Sequence, residues 1–429
     1  MKHSGFKIYL LIWLGTFISE IGTGMTSFAL GIYIYQLTGQ ATSSALVTLC
    51  AFLPGLLMTP LAGILADRYD RRILMALGDG LSGLGVLWIY FSLQTSQPSL
   101  LNICLGAAIS SVFSALVNPA FRATISDLVP EDQISKATGL SQINGIARYL
   151  ISPSLAGLIL AQGTIGQILL IDFSTIFVTV ICSLAARRHI KTVQKSTSHP
   201  FWSEFMRGFQ IIYEKRGIWL LVLLGTAFSF FLGTVEILLS PMILGFASSQ
   251  EVGWTMAISS SGMLLGGLIL GIFSIKRHFH LILSLSLGLL GIFMAGMGSK
   301  ENLVWICFFG FLLFMSLPFA NTAIDYLIRL NIDKGEQGKA WGTIGIISQF
   351  GYVIAYASMG WVADSFFKPL LLPKGALTTW IGSIIGTGSG RGYGLLLILA
   401  GFCISISALF LYRQPAIKEL EYVSKINPE

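Results

Sequence analysis

Apolar residues run along this chain in long blocks, and polar residues gather in the short gaps between them. The blocks are 8–36, 43–66, 73–94, 100–121, 139–161, 167–186, 218–245, 252–275, 281–299, 302–327, 340–364 and 392–412. Each is near or above the roughly 20 residues that a helix needs to cross a bilayer. They are too long for barrel strands of about ten residues. Backbone groups in lipid must be satisfied within the segment, so helix is the remaining option. The pattern predicts an all-α integral membrane protein with twelve transmembrane helices. Residues 1–186 form an N-terminal six-helix bundle and 187–217 a cytoplasmic linker. Residues 218–429 form a second bundle with a short cytoplasmic tail.

Charge sets an orientation on this pattern. With the N-terminus inside, 22 of the 27 Lys and Arg fall in inner segments, and only Lys300, Lys368, Lys374 and Arg391 fall in outer loops. Arg148, inside helix 5, completes the count. Basic residues are retained on the cytoplasmic side, so both termini are expected there, in a multi-pass protein of the cell membrane. The polar linker carries Phe201, Trp202, Phe205 and Phe209 at helical spacing among basic residues. Part of it is expected to form an amphipathic helix along the inner leaflet, or simply to join the halves.

Composition agrees. Hydrophobic residues are 54% and charged residues 11%, with a mean hydropathy of +0.76. A soluble domain carries roughly 25% charged residues, so this chain could not cover a water-facing surface. The net charge of +7 does not indicate nucleic acid, because the basic residues sit in clusters between apolar runs. The lipid bilayer is the expected partner, and a monomer the expected unit. All five Cys lie inside apolar runs, where they read as small packing residues rather than disulfide or metal partners. The first run is long, with no small-residue cleavage site followed by a soluble domain, so no cleaved signal peptide is expected.

The halves repeat each other. Leu14-Gly15-Thr16-Phe17-Ile18-Ser19 in helix 1 matches Leu224-Gly225-Thr226-Ala227-Phe228-Ser229 in helix 7, an offset of 210. Lys136-Ala137-Thr138-Gly139 matches Lys339-Ala340-Trp341-Gly342 at an offset of 203, which also takes Gly157 to Gly360. Two repeats of six helices are the organisation of a transporter with its site between them.

The densest charge lies between helices 2 and 3, in Gly63-Ile64-Leu65-Ala66-Asp67-Arg68-Tyr69-Asp70-Arg71-Arg72. This resembles the loop motif of the major facilitator superfamily, Gly-x-Leu-Ala-Asp-Arg-x-Gly-Arg-Arg/Lys, with Asp70 where Gly is usual. Stretches such as Ser27-Phe28-Ala29-Leu30-Gly31 and Asn118-Pro119-Ala120-Phe121-Arg122-Ala123 are similar to its multidrug-resistance branch, which includes macrolide and enterobactin exporters. The helix 5 antiporter signature, Gly-Pro-x-x-Gly-Gly, stands as Ser152-Pro153-Ser154-Leu155-Ala156-Gly157, with two Gly lost. The mid-membrane Arg motif of helix 4 is absent. The resemblance implies two pseudo-symmetric bundles and a central cavity lined by helix 1. It also implies close packing of helices 5 and 8 across the domain interface, through Ser152, Pro153, Gly157, Gly262 and Gly266. Gly63, Asp67, Arg68, Arg71, Arg72 and Arg122 would act as a conformational latch. In it Asp67 caps a neighbouring helix or meets Arg122 in one access state.

No soluble catalytic constellation is present, so no enzyme, cofactor or metal is expected. The five His lie in the terminus or inner loops, and the Gly386–Gly394 run lacks the Gly-Lys-Ser/Thr ending of a phosphate loop. Intramembrane charge carries the chemistry, because a charged group at the bilayer centre costs about 2.5–3.5 kcal/mol unless it meets a cavity or a partner. Glu20, in the middle of helix 1, is the first choice for proton coupling; permanent pairing with Arg148 is the alternative. Arg148 either pairs with Glu20 or binds an acidic substrate. Glu236 in helix 7 binds a cationic substrate, carries a second proton, or packs. Asp79, among Gly78, Gly80 and Gly83, reads as a packing or interdomain residue. Asp172 and Asp325 lie close enough to the interfaces for solvation to suffice. The expected activity is proton-coupled export of amphiphilic organic small molecules. The alternatives are export of siderophore-like or other anionic metabolites, lysolipid transport, and a non-transporting sensor.

Overall fold

A computed structural model describes residues 2–187, 201–273, 275, 277–333 and 335–426 of the chain. Their regular structure is helical throughout, with no strand among the described residues. In chain order the helices are α1 (Lys2–Thr38), α2 (Ala41–Arg68), α3 (Arg71–Leu93), α4 (Leu100–Ser114), α5 (Val117–Leu128), α6 (Ile134–Gln162) and α7 (Ile165–Arg187). Then come α8 (Phe201–Glu214), α9 (Arg216–Leu244), α10 (Ser249–Ile272), α11 (Phe279–Gly298), α12 (Leu303–Asn331) and α13 (Gln337–Val362). The short α14 (Lys368–Leu371) and α15 (Gly382–Ile385) precede α16 (Arg391–Arg413) and α17 (Pro415–Ile426). Twelve segments are long and apolar enough to cross a membrane, so the chain is a multi-pass membrane protein.

Side chains such as Phe91, Leu101, Ile272, Val304 and Ile406 stand exposed on the outside of the spans. In water they would form a large apolar surface; in a bilayer they meet acyl chains. Hydroxyls inside the spans bond back along their own helix, as Thr16 does to the Ile12 carbonyl (2.8 Å) and Thr226 to the Val222 carbonyl (3.0 Å).

Two expected spans differ in detail. The fourth is divided into α4 and α5 by a break at Ala115–Leu116. Pro119 lies four residues beyond Ala115, has no N–H to offer its carbonyl, and crowds it sterically. The eleventh runs on past 364 through a π-helical turn, Ala363–Phe367, into α14.

The described chain divides into two compact units, Met1–Gly39 with Ser43–Phe201, and Gln40–Thr42 with Trp202–Glu429. The linker positions 188–200 lie outside the described residues. Gln40–Thr42 group with the second unit because Asp364 of the π-turn accepts hydrogen bonds from the Ala41 and Thr42 amides (3.2 and 2.8 Å) and the Thr42 hydroxyl (2.6 Å). The Tyr393 hydroxyl donates to the same carboxylate at 2.8 Å.

Within the first unit α1 packs on α6 and α7, and α3 on α4 and α7. Within the second, α9 packs on α13, α10 on α12, and α11 on α12 and α16. The small residues expected at an interdomain seam have partners inside their own units. A Cβ on Gly262 would lie 2.1 Å from the Phe311 carbonyl oxygen, and one on Gly266 would lie 2.3 Å from that of Met315. Ser152 donates to the Ile21 carbonyl at 3.0 Å and stands against Gly24. In the second unit Gly233 meets Ala355 in the same way. Ala355 is the repeat counterpart of Ser152, and Gly233 lies one residue from that of Gly24, so one contact recurs in both bundles.

Helix α8 lies within the expected linker, and one of its faces is packed. Gly208 lies against Lys339 and Thr343, Ile211 and Ile212 are buried, and Phe209 and Tyr213 pack on Trp219. One face is therefore covered by α9 and α13, while Met206 and Tyr213 stand exposed. The C-terminal helix is held similarly. Glu421 accepts from the His278 amide at 2.5 Å, from the Phe279 amide at 3.3 Å and from the His280 amide and ring. It thereby serves the N-terminus of α11, where His278 is left-handed (φ 63°).

Two predictions follow from these contacts. Gly262→Ala should destabilise the protein by about 1–3 kcal/mol through overpacking, whereas Gly267→Ala, with open space around it, should be neutral. Thermal unfolding in detergent separates the two. Burial of Glu421 opposes its charge, but hydrogen bonds from the His280 ring and the His280 and His278 amides outweigh this and hold its carboxyl below the ordinary range. The resulting stabilisation is complete above the unfolded value of about 4.3 and is lost as pH falls through the lower folded value. Wild type should therefore be more stable than Glu421→Gln near neutrality, and their melting temperatures should converge in strong acid.

Candidate functional site

Close approach of α1 and α6 builds the site. Tyr9 donates to the Ala137 carbonyl (2.7 Å) and Trp13 Nε1 to that of Leu140 (2.7 Å), which sets the register of two parallel helices from one end. Three turns further along, Glu20 faces Arg148, with Oε2 3.5 Å from Nη1. Gly24 and Ser152 close the seam beyond them. The pair is partly accessible: the Glu20 side chain is 21% exposed and that of Arg148 41%. The two most informative intramembrane charges of the sequence thus meet in one ion pair, which tolerates water on one side.

Two further carboxylates lie inside the same unit. Asp172 is 1% exposed, with the Thr23 hydroxyl donating to it at 3.4 Å. This corrects the expectation that solvation near the interface suffices for it. Asp172 is only two turns from the start of α7, but that face packs against Gly22 of α1, so the direction of the side chain decides its burial. Asp79 is 6% exposed on α3. Asp325, by contrast, is exposed, as expected.

In the second unit Glu236 is exposed on α9 and accepts from the hydroxyl of the buried Tyr356 at 2.6 Å. That hydrogen bond holds one of its oxygens.

The turn between α2 and α3 holds the charges expected of it, in a different arrangement. Asp70 caps α3, accepting from the Arg72 amide. Arg72 is buried and donates to the Ala186 carbonyl at the end of α7. Arg71 lies 2.5 Å from Asp127 and donates to the Ala123 and Ala66 carbonyls. Gly63 is half-buried, while Asp67, Arg68 and Arg122 are exposed. Sequence reasoning did not single out Asp127; its signal was an acid one turn beyond Arg122 at the end of α5. Arg391, expected in an outer loop, is fully buried and donates to the Gly298 carbonyl at 2.9 Å, with Glu301 3.8 Å away. No cluster of metal-ligating side chains occurs among the described residues.

Comparison with known proteins follows the same lines. The family model described as Major Facilitator Superfamily matches residues 12–356. Macrolide efflux protein A of Streptococcus pyogenes is 25% identical over 380 residues, covering 85% of this chain and 91% of its own length. The enterobactin exporter EntS of Shigella boydii is 25% identical over 422 residues, covering 96% and 94%. The nucleoside transporter NupG, as a D323A mutant, superposes with a TM-score of 0.75 at 13% identity, over 95% of this chain and 100% of its own.

The geometry of the turn separates two substitutions. Asp127→Asn removes one partly exposed ion pair and should cost about 1 kcal/mol. Arg71→Ala removes that pair and both carbonyl bonds and should cost about 3 kcal/mol. Thermal unfolding of the purified protein measures both.

Proposed function

This chain belongs to the major facilitator superfamily, and we propose that it is a proton-coupled exporter of amphiphilic organic compounds such as drugs or macrolides. It is a transporter and not an enzyme, as are the relatives it resembles. Export as the direction is supported by the relatives, a macrolide efflux protein and an enterobactin exporter. Transport would proceed by alternating access between two six-helix halves, with both termini in the cytoplasm, as the placement of 22 of 27 basic residues favours.

The observation that carries proton coupling is the Glu20–Arg148 pair. It places a carboxylate in the middle of a membrane span, 3.5 Å from its counter-charge and still in reach of water. A proton on Glu20 removes its charge and dissolves that attraction, which shifts the balance of partners around the Arg148 guanidinium. Loss of the proton restores the pair. One protonation event thus switches between two arrangements of α1 and α6, which is what a coupling site must do. Glu236, exposed and held by Tyr356, suits the recognition of a cationic group on the substrate. The turn containing Gly63, Asp67, Arg68, Arg71, Arg72 and Arg122 serves as the conformational latch. Its fixed part is Arg71–Asp127 and its exposed part is Asp67 with Arg122.

A second reading, export of anionic metabolites, is favoured by the exposure of Arg148 and by the enterobactin exporter among the relatives. It requires Glu20 to be protonated first, so that Arg148 is released to the anion.

Purified protein in liposomes, tested with a macrolide and with a catecholate siderophore, distinguishes these readings. Glu20→Gln should reduce macrolide efflux driven by a pH gradient at least tenfold while leaving gradient-free counterflow within about twofold. Gradient-driven efflux at the wild-type rate would refute the coupling role. Loss of siderophore but not macrolide transport in Arg148→Ala would select the second reading.

A further inference from the structure

Asp79 has no role in the function proposed above, and packing does not explain it. It is 6% exposed, and its Oδ2 has no hydrogen-bond partner among the described residues. A carboxylate oxygen left this way in a low-dielectric interior carries an uncompensated charge, which costs several kcal/mol. Any residue meant only to pack between Gly78, Gly80 and Gly83 would do so better without it.

The surroundings are acidic rather than basic. Asp79 interacts electrostatically with Glu20 of α1 and with Asp172 of α7, and its side chain meets the Thr179 hydroxyl. Helix α4 contributes no charged side chain. Helix α5 contributes Arg122 and Asp127 at the end near Arg71, which lies eight residues, or about 12 Å, along α3 from Asp79. Arg72, buried seven residues before Asp79 on α3, is taken up by the Ala186 carbonyl and Asp70, and Arg148 of α6 is engaged by Glu20. Thr179 is also committed, donating to the Gly15 carbonyl at 2.9 Å. Asp79 therefore faces two carboxylates and a hydroxyl whose proton is in use, and one of its own oxygens faces no donor at all.

A proton on Oδ2 resolves each of these conflicts. It removes the charge, ends the repulsion with Glu20 and Asp172, and fills the vacant position with an O–H. We propose that Asp79 is a second proton-binding group of this transporter, coupled electrostatically to Glu20. The chemistry is a simple exchange: hydronium or water-borne acid gives a proton to Oδ2, one O–H bond forms as another breaks, and release is the reverse. Because like charges in a low-dielectric interior resist being present together, a negative charge on Glu20 favours a proton on Asp79. Protonation of Glu20 favours release from Asp79. The inference rests on the reading of the chain as proton-coupled, but it concerns a different residue and is read by a different measurement.

Infrared difference spectroscopy of the full-length protein in lipid, across a pH step, detects the carbonyl stretch of protonated carboxyl groups without any substrate. Wild-type protein labelled with carbon-13 aspartate should show an isotope-shifted band, which needs no variant to fold. Asp79→Asn should lose that component, whereas Asp79→Glu should transfer it to the glutamate-labelled spectrum. An aspartate-labelled wild type with no shifted band, or an Asp79→Asn spectrum equal to wild type, would overturn the proposal. The glutamate-labelled band of wild type, absent in Glu20→Gln, reports separately on Glu20, so failure of the first reading is distinguishable.

Discussion

Helices in hydrocarbon gain nothing from hiding apolar side chains, so their association depends on how closely their backbones approach. In this protein that approach is bought with small residues placed where a Cβ would strike a neighbour's carbonyl. Gly85 and Gly106 do this for α3 and α4, and Gly291 and Gly401 for α11 and α16. Gly24 serves α1 and α6 in a related way, where a Cβ would strike the Ser152 hydroxyl. The last contact matters beyond packing. Glu20 and Arg148 stand one turn from this contact on the two helices, where the shared register brings them into an ion pair. Recurrence of the seam at Gly233 and Ala355 shows the same device in the second bundle, where the charge has become Glu236 with a tyrosine hydroxyl as its partner.

The architecture was legible in the sequence because a bilayer imposes one length scale on every span. Twelve apolar runs gave twelve crossings, and the repeats at offsets of 210 and 203 related the halves. What failed was local and had local causes. Pro119 broke a run that composition alone carried through, and the π-turn at Ala363 extended another. Helix α8 was recognisable as amphipathic, but which surface its face would meet depended on Gly208, whose partners Lys339 and Thr343 lie more than 130 residues away.

Site residues were legible by position and not by facing. Glu20 and Arg148 were identifiable because charge deep in a span is costly and therefore rare. Their pairing is a property of the α1–α6 register, fixed by Tyr9 and Trp13, which no local pattern announces. Asp172 and Arg391 were assigned to solvent because they stand near run ends, yet both are buried. Distance along a helix measures depth; it says nothing about whether a side chain turns toward a neighbour. At the α2–α3 turn the motif located the basic residues correctly, while Arg71 found its acid in Asp127, on an element the motif does not include.

The balance of charge inside the first unit constrains any mechanism built on it. Glu20, Asp79 and Asp172 lie within the first unit, where Arg148 pairs with Glu20 and the buried Arg72 is taken up by Asp70 and the Ala186 carbonyl. Were all three acids ionised, two negative charges would stand uncompensated in a medium where each is expensive. Thr23 relieves Asp172 in part with a hydrogen bond, and Glu20 holds the cation. Asp79 has the Thr179 hydroxyl beside it, while its Oδ2 has no hydrogen-bond partner among the described residues. A bundle arranged in this way cannot alter the charge of Glu20 without altering the field at Asp79.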